Sequence, residues 1–77
     1  MDIRPSSFNY SKLRGRIIEK FGTYTKFAKE IGWESSYLSR KLNGEIAFTQ
    51  ADIVLFRDKL EILVEDIGAF FFTMEVQ

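Results

Sequence analysis

The stretch that decides the fold is Tyr24–Asn43, YTKFAKEIGWESSYLSRKLN. Its pattern predicts a helix, a tight turn at Gly32 and a second helix. A glycine there supplies the left-handed backbone conformation that a sharp reversal needs. Ala28 is small where two crossed helices approach most closely. Phe27, Ile31, Trp33, Leu38 and Leu42 are apolar at spacings that fill one shared core. Ser35, Ser36, Tyr37, Ser39, Arg40 and Asn43 are left on the outer side of the second helix. A short helix with a polar outer face, held rigidly against a core, has the shape that enters a DNA major groove.

On the N-terminal side, Tyr10, Leu13, Ile17, Ile18 and Phe21 fall on one helical face, which predicts a first helix over Tyr10–Phe21. Gly15 weakens it by about 1 kcal/mol relative to alanine. Gly22 sits where a helix-ending glycine belongs, and Thr23 is a good N-cap for the helix that follows and runs to about Glu30. Residues 1–9 have no period and contain Pro5, Ser6 and Ser7, so they read as a flexible arm, with Phe8 tacking it to the core. Residues 10–77 then form a single domain. Arg4 in the arm is expected to fray.

On the C-terminal side, the third helix covers Ser35–Leu42 and Asn43-Gly44 supplies its stop. Glu45–Phe48 is a short connector. Thr49 with Asp52 resembles a capping box that opens a fourth helix running to about Leu60, with Ile53, Phe56 and Leu60 inward. Glu65 and Asp66 favour the start of a fifth helix, since negative charge suits the positive end of the helix dipole. Ile67, Phe70 and Phe71 form its buried side. Phe70–Phe72 has a weaker, extended alternative. Three consecutive aromatics cannot all face inward from one short helix, so this segment either completes a small core or offers a partner face, such as a dimer contact.

Seventy-seven residues make one domain at most. A chain this short buries only about 60–65% of its unfolded surface. Eight Phe, three Tyr and one Trp compensate with large apolar payloads, which makes disorder of the whole chain implausible. There is no Cys and no His, which removes disulfides, thiolate metal sites, the commonest general base and the commonest metal ligand. No catalytic constellation, calcium-ligand spacing or glycine-rich phosphate loop stands out. The reading is therefore a non-enzyme that needs no cofactor, metal or small-molecule substrate. The apolar runs Ile53–Phe56 and Ile67–Phe72 are far shorter than the roughly 20 residues that span a bilayer. The N-terminus lacks the apolar stretch of a signal peptide, so a cytoplasmic protein is expected.

The net charge is zero, but it is unevenly distributed. Residues 1–43 hold nine basic and four acidic residues, whereas residues 44–77 hold two basic and seven acidic. Such a molecule can turn one face to phosphates and the other away.

These residues resemble the helix-turn-helix domains of phage Cro and CI repressors, the XRE-like group. The resemblance is carried by Thr23-Tyr24, Phe27-Ala28, Ile31-Gly32-Trp33, Leu38-Ser39-Arg40 and Leu42-Asn43-Gly44. A closer likeness, over about residues 9–77, is to small phage-type regulators of Gram-positive bacteria, in YSKLRGRI, FGTYTKFA, LSRKLNG, FTQADI and FFTMEVQ. It implies an all-α, compact five-helix, lambda-repressor-like domain with the helix-turn-helix at helices two and three. It also implies operator binding, usually as a homodimer on a two-fold related site, and transcriptional repression. Carried over by position, Ser35, Ser36, Ser39 and Arg40 would face bases or nearby backbone, and Tyr24 and Asn43 would lie beside phosphates. Two positions depart from the pattern. Glu34 stands where the family usually has a Ser or Thr N-cap, and could accept from a cytosine amino group. Lys41 replaces an apolar residue, which leaves Leu42 to make the core contact and Lys41 to reach the DNA backbone.

Read from chemistry alone, Arg40 is the strongest candidate, because a guanidinium can bind guanine O6 and N7 together. Its bland alternative is an ion pair with Glu30 or Glu34. Lys26 and Lys41 are phosphate candidates. Tyr37 could pack on a thymine methyl or cover the core. The competing reading is a protein-interaction adaptor that kept this scaffold and lost DNA binding, which the zero net charge, Glu34 and the Phe cluster favour.

Overall fold

The computed structural model describes residues 8–74. Five α-helices follow in order: α1 (Ser11–Phe21), α2 (Tyr24–Glu30), α3 (Ser35–Leu42), α4 (Gln50–Leu60) and α5 (Ile67–Phe71), the last preceded by a 3-10 turn, Val64–Asp66. The all-α class and the five-helix order expected from the sequence are both present. Phe70 and Phe71 are helical and buried, so the extended alternative for this segment does not hold. Among the described residues the only β pairing is an antiparallel bridge, Phe8 with Met74, beside which the Asn9 N–H donates to the Thr73 carbonyl at 2.7 Å. Phe8 does tack the chain inward: its ring lies 6.3 Å from Tyr10 and 6.1 Å from Phe72. Arg4 and the rest of residues 1–7 lie outside the described residues.

The local signals act as their chemistry dictates. The Thr23 hydroxyl accepts from the Lys26 N–H at 3.1 Å and caps α2. Thr49 and Asp52 form a full capping box: the Asp52 N–H donates to the Thr49 hydroxyl at 3.1 Å and the Thr49 N–H to the Asp52 carboxylate at 3.0 Å. Helix α4 ends on Glu61 in the left-handed conformation (φ 54°), the one such non-glycine residue among those described.

The core is one aromatic stack. Phe56 lies edge-on to Phe27 at 5.0 Å and to Phe48 at 5.2 Å, and Phe48 contacts Phe71 at 5.3 Å and Tyr10 at 5.1 Å. Edge-to-face pairs of this kind add about 0.5–1.5 kcal/mol beyond their buried area. Leu13, Ile17, Leu38, Leu60 and Ile62 close around the rings. Ile18, expected inward, is instead exposed at the rim. Adjacent helical residues point about 100° apart, and Ile17 has taken the inward position. Ile31, Trp33 and Ile53 are half-buried against the core rather than inside it.

Candidate nucleic-acid interface

The turn between α2 and α3 is closed by backbone geometry. Gly32 adopts φ 76°, the Trp33 N–H donates to the Ala28 carbonyl at 2.8 Å, and the Gly32 N–H donates to the Lys29 carbonyl at 3.2 Å. This pair of bonds is a Schellman ending, which satisfies carbonyls that the helix itself cannot. Gly44 (φ 81°) ends α3 the same way: its N–H donates to the Lys41 carbonyl at 3.1 Å and the Glu45 N–H donates to the Arg40 carbonyl at 2.9 Å. Phe27, Ala28, Leu38 and Leu42 are buried beneath. Helix α3 is thereby fixed at both ends and along its inner side.

The outer side of α3 carries Ser35, Ser36, Ser39 and Arg40, all exposed. Arg40 makes no ion pair among the described residues, so its bland alternative is absent there. Glu34 is exposed at the N-cap position and makes no capping bond through its side chain. Lys26 and Tyr24 are exposed on the first turn of α2. Tyr37 does two things at once: its ring packs edge-on against Trp33 at 4.8 Å, yet it remains 39% exposed.

Lys41 is the clearest correction. It was expected to reach the DNA backbone, but its side chain is 1% exposed. Its ammonium lies 2.5 Å from the Asp52 carboxylate and donates to the Ala47 carbonyl at 2.8 Å. The rings of Trp33, Tyr37 and Phe48 surround it at 5.7, 5.2 and 5.8 Å. A buried ammonium is tolerable only when paired, hydrogen-bonded and set against ring faces, and all three conditions are met. Burial pushes the Asp52 carboxyl up, but the Lys41 ammonium and the Thr49 N–H outweigh it and leave it below its ordinary value.

Asn43 is also engaged within the protein. Arg14, on α1, donates to the Asn43 side-chain oxygen at 2.7 Å and to the Leu42 carbonyl at 2.8 Å. The Asn43 amide nitrogen lies 3.4 Å from the Ser39 hydroxyl. The Arg14 guanidinium also stands 5.9 Å from the Tyr24 ring centroid. Arg14 is thus an organiser of this surface that sequence reasoning missed; its partners are 28 and 29 residues away, and no local pattern marks it.

The charge separation is partly spent inside the molecule. Lys20 pairs with Glu61 at 2.5 Å and Lys41 with Asp52, each joining the basic half to the acidic half. Among the described residues no helix is long and apolar enough to cross a membrane, and no cluster suited to a metal ion is present.

A family profile described as "Protein of unknown function (DUF739)" matches residues 6–74. The chain belongs to DUF739. This DUF739 protein is also similar to the modulator of repression of the temperate bacteriophage TP901-1 from Lactococcus lactis, known from a solution structure. The two share 35% identity over 92% of this chain and 96% of the other, with a TM-score of 0.78. No curated protein matches significantly. The likeness to small phage-type regulators therefore stands at family level. The likeness to Cro and CI repressors rests on the motif residues alone.

Proposed function

We propose that this DUF739 protein is a phage-type transcriptional regulator that binds operator DNA, with α3 as the recognition helix in the major groove. The observation that carries this reading is the exposed row Ser35, Ser36, Ser39 and Arg40 on a helix locked at both ends. Arg40, without an intramolecular partner among the described residues, supplies the guanine-reading fork. Lys26 and Tyr24, exposed at the start of α2, anchor phosphates, and Glu34 reads an amino group. Binding represses by occluding a promoter. The regulatory setting is supported by the likeness to a phage modulator of repression. A second copy pairs through the exposed Phe72 and Met74 rather than through the whole Phe70–Phe72 triplet, since Phe70 and Phe71 are buried. Two recognition helices would then lie about 34 Å apart on one DNA face.

A second reading has a specific observation behind it. With Lys41 buried and Glu34 exposed, α3 presents a single exposed cation, Arg40, beside one carboxylate, which is little charge for gripping a phosphate backbone. The chain would then modulate repression by docking on another protein of the switch. Selecting bound duplexes from a random DNA pool separates the two. A recovered motif, palindromic for a two-fold assembly, supports operator binding. No enrichment at low salt leaves the adaptor.

A further inference from the structure

Gly15 stands in the middle of α1, where glycine holds a helix less well than alanine. Nothing in the described fold requires it there: a Cβ placed on Gly15 meets no atom within 4 Å. At about 100° per residue, Gly15 lies opposite the buried Leu13 and Ile17, on the outermost line of the helix. On one flank of that line is Ile18, which is 43% exposed. On the other flank are Lys12 and Glu19, both exposed. Lys12 makes no ion pair among the described residues, and its ammonium lies 5.0 Å from the Phe70 ring centroid. Among those residues Glu19 meets only Arg16, at 3.3 Å, and its side chain stays 65% exposed. A groove of about 560 Å³ follows this flank, lined by Lys12, Gly15, Arg16, Glu19, Asp66 and Phe70.

We propose that this face of α1 binds a second copy of the chain, the two α1 helices lying antiparallel about a two-fold axis beside Gly15. Such an axis sets residues before Gly15 in one copy opposite residues after it in the other, and each flank meets its own counterpart. Lys12, three residues before Gly15, then faces the partner's Glu19, four residues after it, and the same pair forms again with the roles exchanged. On the other flank Ile18 meets the partner's Ile18, and both leave water. Gly15, without a side chain, lets the backbones approach at the crossing. Parallel helices would instead bring Lys12 level with the partner's Lys12, and Glu19 level with the partner's Glu19. One helix face is a small contact, so the pairing is weak and depends on concentration. It uses none of the residues of the Phe72 and Met74 contact, so the two together join pairs into larger assemblies. It involves neither α3 nor DNA, and it stands or falls separately from operator binding.

Sedimentation of the full chain over a concentration series, without DNA, tests this. The parent protein carries Phe72→Ser, which removes the other contact. It is expected to pair, and Ile18→Ser to weaken that pairing by about 10-fold or more, since two apolar side chains leave the contact at once. Lys12→Glu and Glu19→Lys should each pair about 10-fold more weakly alone, yet pair with each other when mixed. The first chain then carries two acidic groups at these positions and the second two basic ones, so each repels itself and attracts the other. Gly15→Leu should abolish pairing while the thermal midpoint of the monomer holds or rises, because the space above Gly15 is open within its own chain. A residue that served only the fold would not separate those two readings. A parent protein that stays monomeric, Ile18→Ser or Gly15→Leu chains that pair as it does, or charge variants that fail to pair when mixed would each overturn the proposal.

Discussion

Lys41 and Asp52 lie 2.5 Å apart, and their ion pair joins the last turn of α3 to the first turn of α4. The same carboxylate accepts the Thr49 N–H, so one side chain caps α4 and holds α3. Breaking a buried pair by removing one partner costs about 3–5 kcal/mol, because the remaining charge stays uncompensated. Lys41→Met is expected to cost about 3 kcal/mol in urea unfolding, toward the lower end of that range, since Thr49 still donates to Asp52. A surface lysine would lose less than about 0.5 kcal/mol.

The same pair gives an acid dependence. The Asp52 carboxyl is held below its ordinary value in the folded protein, where burial raises it and the donors Lys41 and Thr49 lower it further. The folded state therefore binds this proton less tightly than the unfolded chain. The stability it contributes is fully present above the ordinary aspartate value of about 3.9 and is lost as pH falls through the lowered one. The stability gap between wild type and Asp52→Asn should be large at neutral pH and shrink below about pH 4. Urea titrations of both proteins at each pH measure it; a gap independent of pH would remove the charge from the account.

Ala28, on α2, is buried in the core. Its carbonyl also accepts the Trp33 N–H that closes the turn. Ala28→Leu should destabilise by about 1–3 kcal/mol through overpacking. Heteronuclear spectra would show shifts spreading into α3; unchanged melting and spectra would mean that the helices cross elsewhere.

Glu61 ends α4 with φ 54°. Glycine adopts that conformation without the side-chain penalty. The pair Glu61 makes with Lys20 is solvent-exposed and contributes little. Glu61→Gly should therefore raise the thermal midpoint modestly, and calorimetry checks the sign.

What the sequence made legible follows the range of each interaction. Thr23, Gly32 and the Thr49–Asp52 box act within three or four residues, and the helices they bound were readable from those residues. The split within Phe70–Phe72 was readable too, because a helix cannot turn three neighbours to one side. Lys41 was not. Its burial depends on Trp33, Phe48 and Asp52 arriving from three separate segments, and a lysine after Arg40 otherwise reads as one more surface cation. Phe48, in the connector, packs half-buried against the core for the same reason. Glu61 gave no signal, because the position calls for glycine and carries none.

The central claim is that the outer row of α3 binds DNA, and fluorescence anisotropy on the selected duplex tests it most directly. Wild-type affinity should fall linearly on a log–log plot, by about 10-fold or more between about 50 and 200 mM salt. Arg40→Ala, fully folded, should bind about 10-fold or more weakly at any one salt concentration. A flat salt response, or equal affinity for the Arg40→Ala protein, would contradict the account.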